Sequence, residues 1–351
     1  MRIAITTYPM LWQRTGGMQI QIIKTIEHLT RKGVDVKLFD SLTERLGDYD
    51  LVHVFSAING AHLILREARS QNVRTVLSTG LQPDCNRMKF VQYKAASWLT
   101  RKLTAYEIRT TYDNVLSAIE DSDHLIVLSE GERCVVKNAY AVKDDRITLI
   151  SNGIDTRFFS ATPAQFIKEF RINAGFILVV GSISAYKNQL GVIRATANSK
   201  RPVLLIGPAG DSEYLRRCLD EGGTRVRHIG VLAHDDPLLG SAYASAGVTV
   251  LASAGETFGL TAVESLASGT PAIITASNGL GLSPRHPWLQ FVNPQDITAL
   301  GGAIEAALAA PQPTTDPCRE MVAHFNWDAV GDKILQVYQK LITSNPAITT
   351  R

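Results

Sequence analysis

Residues 248–275 read VTVLASAGETFGLTAVESLASGTPAIIT, and they restrict the fold tightly. The β-branched run Val248-Thr249-Val250-Leu251 is short and sharply bounded, as a buried parallel strand is. A loop of small residues, 253–259, leads into a helix predicted over 260–267. Gly269 and Pro271 stop that helix, and Ala272-Ile273-Ile274 begins a second strand. Strand, loop, helix, strand is the repeating unit of an open α/β sheet, whose ligands bind where a strand meets its helix.

Two carboxylates flank that meeting point: Glu256 in the loop and Glu264 on the helix. A helix N-terminus with free N–H groups suits a phosphate. A carboxylate beside it suits hydroxyl donors instead, so the pair describes a phosphate next to a polyol, as in a sugar nucleotide. Taken singly, Glu256 reads as a solvated loop residue and Glu264 as an ordinary amphipathic helix position.

Glu256-x-Phe258-Gly259-x-x-x-x-Glu264, followed by Ser-Leu-Ala-Ser-Gly-Thr-Pro, resembles the E-x7-E signature of retaining GT-B glycosyltransferases, in particular glycosyltransferase family 4 (the group 1 glycosyl transferases). The resemblance implies an α/β fold of GT-B type, two Rossmann-like doubly wound domains facing a cleft. It implies that Glu256 contacts hydroxyls of the donor sugar and Glu264 the ribose hydroxyls. The backbone at Phe258, Gly259 and Leu260 would approach sugar and phosphates.

A chain of 351 residues with 45% hydrophobic and 20% charged content is a globular protein with two cores by default. Its net charge of +3 is too small to point to nucleic acid. Cys85, Cys134, Cys218 and Cys318 are scattered with no CxxC pair, which predicts reduced thiols in a cytoplasmic setting rather than disulfides or a zinc site. The opening MRIAITTYP reads as a strand and not a signal peptide. No apolar run approaches the ~20 residues of a membrane span, so any membrane contact is expected to be peripheral, on the inner face.

Along the first half, strands are predicted at 2–7, 34–39, 51–55, 73–78, 123–128 and 147–150, alternating with helical patterns such as 18–32 and 61–70. Gly16-Gly17 opens the first helix where the resemblance places a glycine-rich loop near donor phosphates and acceptor. It is not a G-x-G-x-x-G, which argues against a dehydrogenase. His53 lies near a strand end where the family often carries a histidine, although a lone histidine there is more often structural. Thr79 (or Ser78, one register away) stands before Gly80 where many members carry a histidine by the anomeric centre. Asp121-Ser122-Asp123 is formally a metal-binding DxD but reads here as a helix-to-strand turn, and no metal or other cofactor is expected. Ser151-Asn152-Gly153-Ile154-Asp155 with Phe158 resembles the family's domain junction, giving an acceptor domain over 1–160, joined by a terminal helix at about 327–345, and a donor domain over 161–326.

In the second half, Lys187-Asn188 matches the family's basic pair for the donor pyrophosphate, but Ser182 stands where the family has Arg. Catalysis would then fall to Lys187 and Glu256, with Gly16, Gly17, Ser182, Lys187, Phe258, Gly259, Leu260 and Glu264 around the donor. The implied activity is transfer of a hexose, with retention, from a nucleotide sugar to a saccharide or lipid-linked acceptor in bacterial polysaccharide or glycolipid synthesis. A GT-B epimerase or phosphorylase and a catalytically silent nucleotide-sugar binding protein remain as alternatives. Residues 86–112 hold Arg87, Lys89, Lys94, Arg101, Lys102 and Arg109 against the single acid Glu107. Val91, Ala95, Trp98, Leu99, Leu103 and Tyr106 share a helical face there. This is either a basic amphipathic helix for an anionic membrane surface or a face packed on its own sheet.

Overall fold

The structure is a computed structural model that describes residues 1–13, 16–105, 107–284, 287–310 and 316–343. The backbone divides into two units, Met1–Asn152 together with the segment from Trp327, and Gly153–Asn326. The division thus falls inside the Ser151–Asp155 junction segment rather than after residue 160.

The first unit is a six-stranded parallel sheet of β1 (Arg2–Thr6), β2 (Asp35–Leu38), β3 (Leu51–Phe55), β4 (Arg74–Ser78), β5 (His124–Val127) and β6 (Ile147–Leu149), in the order β2-β1-β3-β4-β5-β6. The second repeats the architecture with β7 (Phe176–Val180), β8 (Val203–Ile206), β9 (Val226–Gly230), β10 (Ala246–Leu251), β11 (Ala272–Thr275) and β12 (Leu289–Val292), ordered β12-β11-β10-β7-β8-β9. Helices cover both faces of such a sheet, which is why inner strands such as β3 and β10 are buried at every position and read as apolar runs. Strand β12 escaped the sequence reading because LQFV is a four-residue edge strand with a polar residue inside.

Each sheet reverses its direction of growth once. In the first the reversal lies between β1 and β3, and in the second between β7 and β10. At such a point the loops after neighbouring strands diverge and leave a crevice at the strands' C-terminal ends.

The terminal helix Trp327–Thr343 belongs to the first unit. It buries Trp327, Val330, Ile334, Val337 and Tyr338 into the cluster formed by Ile3, Ile5, Ile22 and Leu29. His53, on β3, is fully buried and holds the helix by a 2.6 Å hydrogen bond between its Nδ1 and the Tyr338 hydroxyl, while its Nε2 lies 2.8 Å from Ser78 Oγ. With both ring nitrogens engaged, His53 is a packing pin and offers nothing to a ligand. On the helix Gly17–Arg31, Ile22 and Leu29 are buried while Ile23 is 40% exposed.

The expectation of four reduced thiols is corrected. Cys85 and Cys134 are bonded, with Cα atoms 5.8 Å apart, and the cytoplasmic argument built on free thiols falls with them. A separation of 49 residues gave no spacing signal; the two meet because Phe90 packs against Val135 and Ala139. Cys218 and Cys318 are free and buried, and burial pushes their thiols up to about 11 and about 12. Among the described residues, no helix is long and apolar enough to cross a membrane.

The dock of the terminal helix depends on Gly331, where an added Cβ would lie 1.8 Å from His28 Cδ2. The His28 ring cannot yield, being held within 3.0 Å of Asp328 and 3.5 Å of Asp332. Gly331→Ala is therefore expected to cost roughly 1–3 kcal/mol, the usual range for overpacking a tight site. Urea unfolding followed by circular dichroism measures it, and an unchanged midpoint would show that the interface has slack.

Candidate active site

The β7–β10 crevice brings Lys187 and Glu256 together. Strand β7 ends at Val180 and feeds Gly181, Ser182 and a short 3-10 turn, Ala185–Lys187. Strand β10 ends at Leu251 and feeds the loop that carries Glu256. The two loops are stitched together: Ala254 N–H donates to the Tyr186 carbonyl at 2.9 Å, and the Tyr186 hydroxyl donates to the Gly255 carbonyl at 2.7 Å. From the other side Glu256 N–H donates to Ser277 O, and Gly279 N–H to Glu256 O. Backbone clamped on both flanks fixes the Glu256 side chain, whose Oε1 accepts from Lys187 Nζ at 2.6 Å. That ion pair is 25% exposed at lysine and 12% at glutamate.

Gly259 then turns the chain into the helix Leu260–Ala267. Its φ of +98° suits glycine, and a Cβ there would lie 2.6 Å from Ile274 Cδ1. No side chain caps this helix, so its first N–H groups remain available to an anion. Phe258 is buried and meets Phe325 edge-on at 5.2 Å; its ring is core, and only its backbone borders the loop.

Glu264 is 4% exposed. Its Oε1 lies 2.8 Å from His234 Nε2, and its Oε2 accepts from the Tyr243 hydroxyl at 2.9 Å. His234 Nδ1 in turn sits 3.0 Å from Arg157 Nη2. Arg157, His234 and Tyr243 were missed by sequence reading, and no spacing could have exposed them, since they come from separate segments joined only in the fold. The Ser182 hydroxyl lies against Gly210, where a Cβ would come within 2.4 Å of Oγ, so the side chain faces the loop after β8.

In the first unit the histidine-substituting positions are absorbed into the interior. Thr79 is 1% exposed and donates its hydroxyl to Glu132 Oε1, while the Ser78 hydroxyl is taken by His53. Glu132 is fully buried and also accepts from Leu81 N–H at 2.7 Å and Leu128 N–H at 2.6 Å. Burial pushes its carboxyl up to about 6 against the pull of those hydrogen bonds. The signal was present as Ser129-x-x-Glu132, a capping-box pattern, and Ser129 does cap the helix Glu130–Tyr140. Gly16 caps the helix Gly17–Arg31 with extended backbone and no contact within 4 Å of an added Cβ; neither backbone nor packing demands glycine at Gly16. Asp121 pairs with Arg66 and Arg69, and Asp123 accepts from Thr75 N–H, so both acids of the DxD tripeptide are engaged.

A cavity of about 920 Å³ lies in the first unit, lined by Thr7, Trp12, Asp40, Arg45 and Glu67 among others. One of about 780 Å³ in the second is bordered by Ala252, Ala254, Thr275 and Ser277. Glu256, Glu264 and Lys187 line neither.

The basic segment forms the helix Arg87–Leu103, capped by Asn86. Only Phe90 and Ser97 are buried, and these project from one side. The apolar stripe points the other way: Met88, Val91, Trp98, Leu99 and Leu103 are 50–76% exposed. The reading in which this stripe packs on its own sheet is thereby overturned; Tyr106 lies outside the described residues. Lys102 sits over the Trp98 ring at 5.1 Å. Lys89 pairs with Asp84, and Arg101 lies 3.8 Å from Asp113.

Paired doubly wound sheets with this carboxylate-bearing loop define a GT-B glycosyltransferase. The sequence agrees: residues 163–317 match the family model "Glycosyl transferases group 1" and residues 40–158 match "Glycosyltransferase Family 4". The chain belongs to these GT-B glycosyltransferases. It is 23% identical to the D-inositol 3-phosphate glycosyltransferase of Mycolicibacterium paratuberculosis, over 97% of this chain and 90% of that protein. Its fold is that of sucrose-phosphate synthase from Thermosynechococcus elongatus, with a TM-score of 0.79 at 22% identity over 98% and 99% of the two chains. Anabaena HepE, solved in complex with UDP, has the same fold, with a TM-score of 0.74 at 14% identity over 97% and 100%.

Two buried groups give the first unit a defined acid response. The Glu132 pKa is raised from 4.5 to about 6, so its contribution to stability is complete below about pH 4.5 and lost as pH rises through 6. The His53 pKa is lowered from 6.5 to about 3 by burial, so its contribution is complete above about pH 6.5 and lost as pH falls toward 3. Between pH 4.5 and 6 the two slopes oppose each other. Glu132→Gln removes one of them: relative to the variant, the wild type should lose roughly 1 kcal/mol on going from pH 4.5 to 6, part of a full span of about 2 kcal/mol at 1.36 kcal/mol per pKa unit. Urea titrations at the two pH values measure this, and a pH-independent difference would mean that Glu132 titrates normally.

Proposed function

We propose that the protein is a retaining transferase that moves a hexose from a nucleoside diphosphate sugar to a lipid-linked saccharide acceptor. The observation that carries the reading is the Lys187–Glu256 contact across the β7–β10 reversal, with Glu264 on the helix that follows. Breaking the anomeric C–O bond develops negative charge on the diphosphate and oxocarbenium character on the sugar. Lys187 and the uncapped N–H groups after Gly259 are suited to the first. Glu256 is suited to orienting the sugar through its hydroxyls, and Glu264 to the ribose diol. The acceptor would attack the face that the diphosphate leaves. This chemistry assigns no step to a metal. In the free protein Lys187 and Glu256 neutralise each other, so the donor must compete for both.

A silent nucleotide-sugar binding protein is the second reading, favoured by the engagement of Thr79 and Ser78 in buried hydrogen bonds. Turnover of UDP-, GDP- and ADP-sugars with product analysis separates the two. Glu264→Ala is expected to weaken donor and free nucleotide alike, by roughly 1.5–3 kcal/mol for a lost charged hydrogen-bonding group, while Glu256→Ala spares free nucleotide. Calorimetry reads both, and equal loss in the two variants would refute this division.

The lipid-linked acceptor is supported by the helix Arg87–Leu103, whose apolar stripe is exposed and bordered by cations. An anionic bilayer matches both features. Among the described residues Arg87 and Lys94 meet no carboxylate, so their charge is available. At about 1 kcal/mol per basic residue near an anionic surface, reversing Arg87, Lys94 and Lys102 to Glu should lower affinity for phosphatidylserine-containing vesicles by at least about 10²-fold with the fold intact. Sedimentation at low and high salt tests it, and absence of wild-type binding at low salt would favour a soluble acceptor.

A further inference from the structure

The chain Arg157–His234–Glu264–Tyr243, buried at Glu264 and Tyr243 and part-buried at Arg157 and His234, has more definition than a carboxylate needs merely to be tolerated inside a protein. A guanidinium has only donors, and Arg157 Nη2 lies 3.0 Å from His234 Nδ1. Nδ1 must therefore be the acceptor, which leaves the ring proton on Nε2, 2.8 Å from Glu264 Oε1. Arg157 thus selects the tautomer that donates to Glu264. The same Nη2 also donates to the His234 carbonyl, and Arg157 Nη1 lies 3.7 Å from Asp155, so the guanidinium is held from two sides.

The floor of the arrangement is Phe158, fully buried. The Arg157 guanidinium lies 4.9 Å from its ring centroid, and the His234 and Tyr243 rings meet it edge-on at 5.6 and 5.8 Å. Three polar groups are therefore seated on one aromatic plate. Each Glu264 oxygen accepts one proton from the protein, from His234 on one side and Tyr243 on the other. A carboxylate has about four acceptor sites, so one remains on each oxygen, the pattern that two adjacent hydroxyls of a cis-diol satisfy.

We propose that His234 is a positioning residue, its tautomer set by Arg157, that turns Glu264 into a selective receptor for a vicinal diol. The inference rests on the reading that Glu264 meets the donor ribose. Its consequence is discrimination: a site built to receive hydroxyl protons rejects the analogue that lacks them. The deoxy analogue would leave both acceptor positions on a buried carboxylate unfilled.

The test is calorimetric titration with UDP, GDP and ADP and with the 2′,3′-dideoxy form of whichever binds most tightly. The wild type should prefer the ribose form by about tenfold or more. His234→Leu keeps the packing on Phe158 but removes both hydrogen bonds, and should bring the preference within about threefold while leaving the dideoxy affinity nearly unchanged. His234→Gln can donate to Glu264 and accept from Arg157, and should retain most of the preference. A His234→Leu protein that still discriminates as wild type does, or a His234→Gln protein that discriminates no better than His234→Leu, overturns the role of His234. A wild type that binds no nucleoside diphosphate, or shows no preference, overturns the ribose reading itself and the inference with it. Thermal melts of both variants establish that the unit is folded; should His234→Leu not fold, Tyr243→Phe removes the opposite donor and must likewise reduce the preference.

Discussion

The second unit depends on one topological event, the reversal of sheet growth between β7 and β10. These strands are hydrogen-bonded neighbours, pairing Leu178 with Thr249, although two β–α units separate them in sequence. Because the chain builds outward from β7 in one direction and then returns to build in the other, the loops leaving β7 and β10 lead to helices on opposite faces. Lys187 and Glu256, one on each loop, meet as a consequence of connectivity, and the hydrogen bonds from Ala254 and Tyr186 convert that proximity into a fixed geometry.

The first unit has the same kind of reversal, between β1 and β3, but uses its polar side chains differently. The groups that fall nearest a family catalytic position are occupied internally: Ser78 with His53, Thr79 with Glu132. A fully buried carboxylate with no cation is costly, and here it is satisfied by main-chain N–H groups and a hydroxyl. The outcome is a rigid loop after β4. Thr79 and Ser78 therefore serve the interior of the unit as hydrogen-bonded packing groups.

Much of this was legible in the sequence, for physical reasons. Parallel strands buried on both faces advertise themselves as apolar runs, and the helix Leu260–Ala267 is bracketed by glycines whose backbone role is fixed. The E-x7-E spacing survives because both acids sit on one continuous loop and helix. What the sequence hid was everything made by long-range contact. His234 reaches Glu264 from the loop after β9, Arg157 arrives from the unit's first turn, and Cys85 finds Cys134 through the packing of Phe90. Edge strand β12 lacked the apolar signature. The amphipathic helix Arg87–Leu103 had a visible pattern, but periodicity alone cannot say which side of a helix is covered; only the burial of Phe90 and Ser97 does.

The loss of the family's arginine at Ser182 bears on the electrostatics that remain. The charged side chains joined at the site are Lys187 and Arg157 against Glu256, Glu264 and Asp155, so positive charge is not in excess. Arg157 is further committed to His234 and Asp155, so only Lys187 has a charge to redirect, and it must leave Glu256 to do so. On the proposed reading, a diphosphate entering this unit meets no net positive charge. The attraction must come from oriented dipoles, the uncapped N–H groups of the helix Leu260–Ala267, which act over the first turn and strengthen as water is excluded. Such a site gains little from long-range steering, and selectivity falls to short-range hydrogen bonds. That places the burden of donor recognition on fixed lone pairs, and explains why a nearly buried carboxylate at Glu264 would be held by two donors rather than left to rotate.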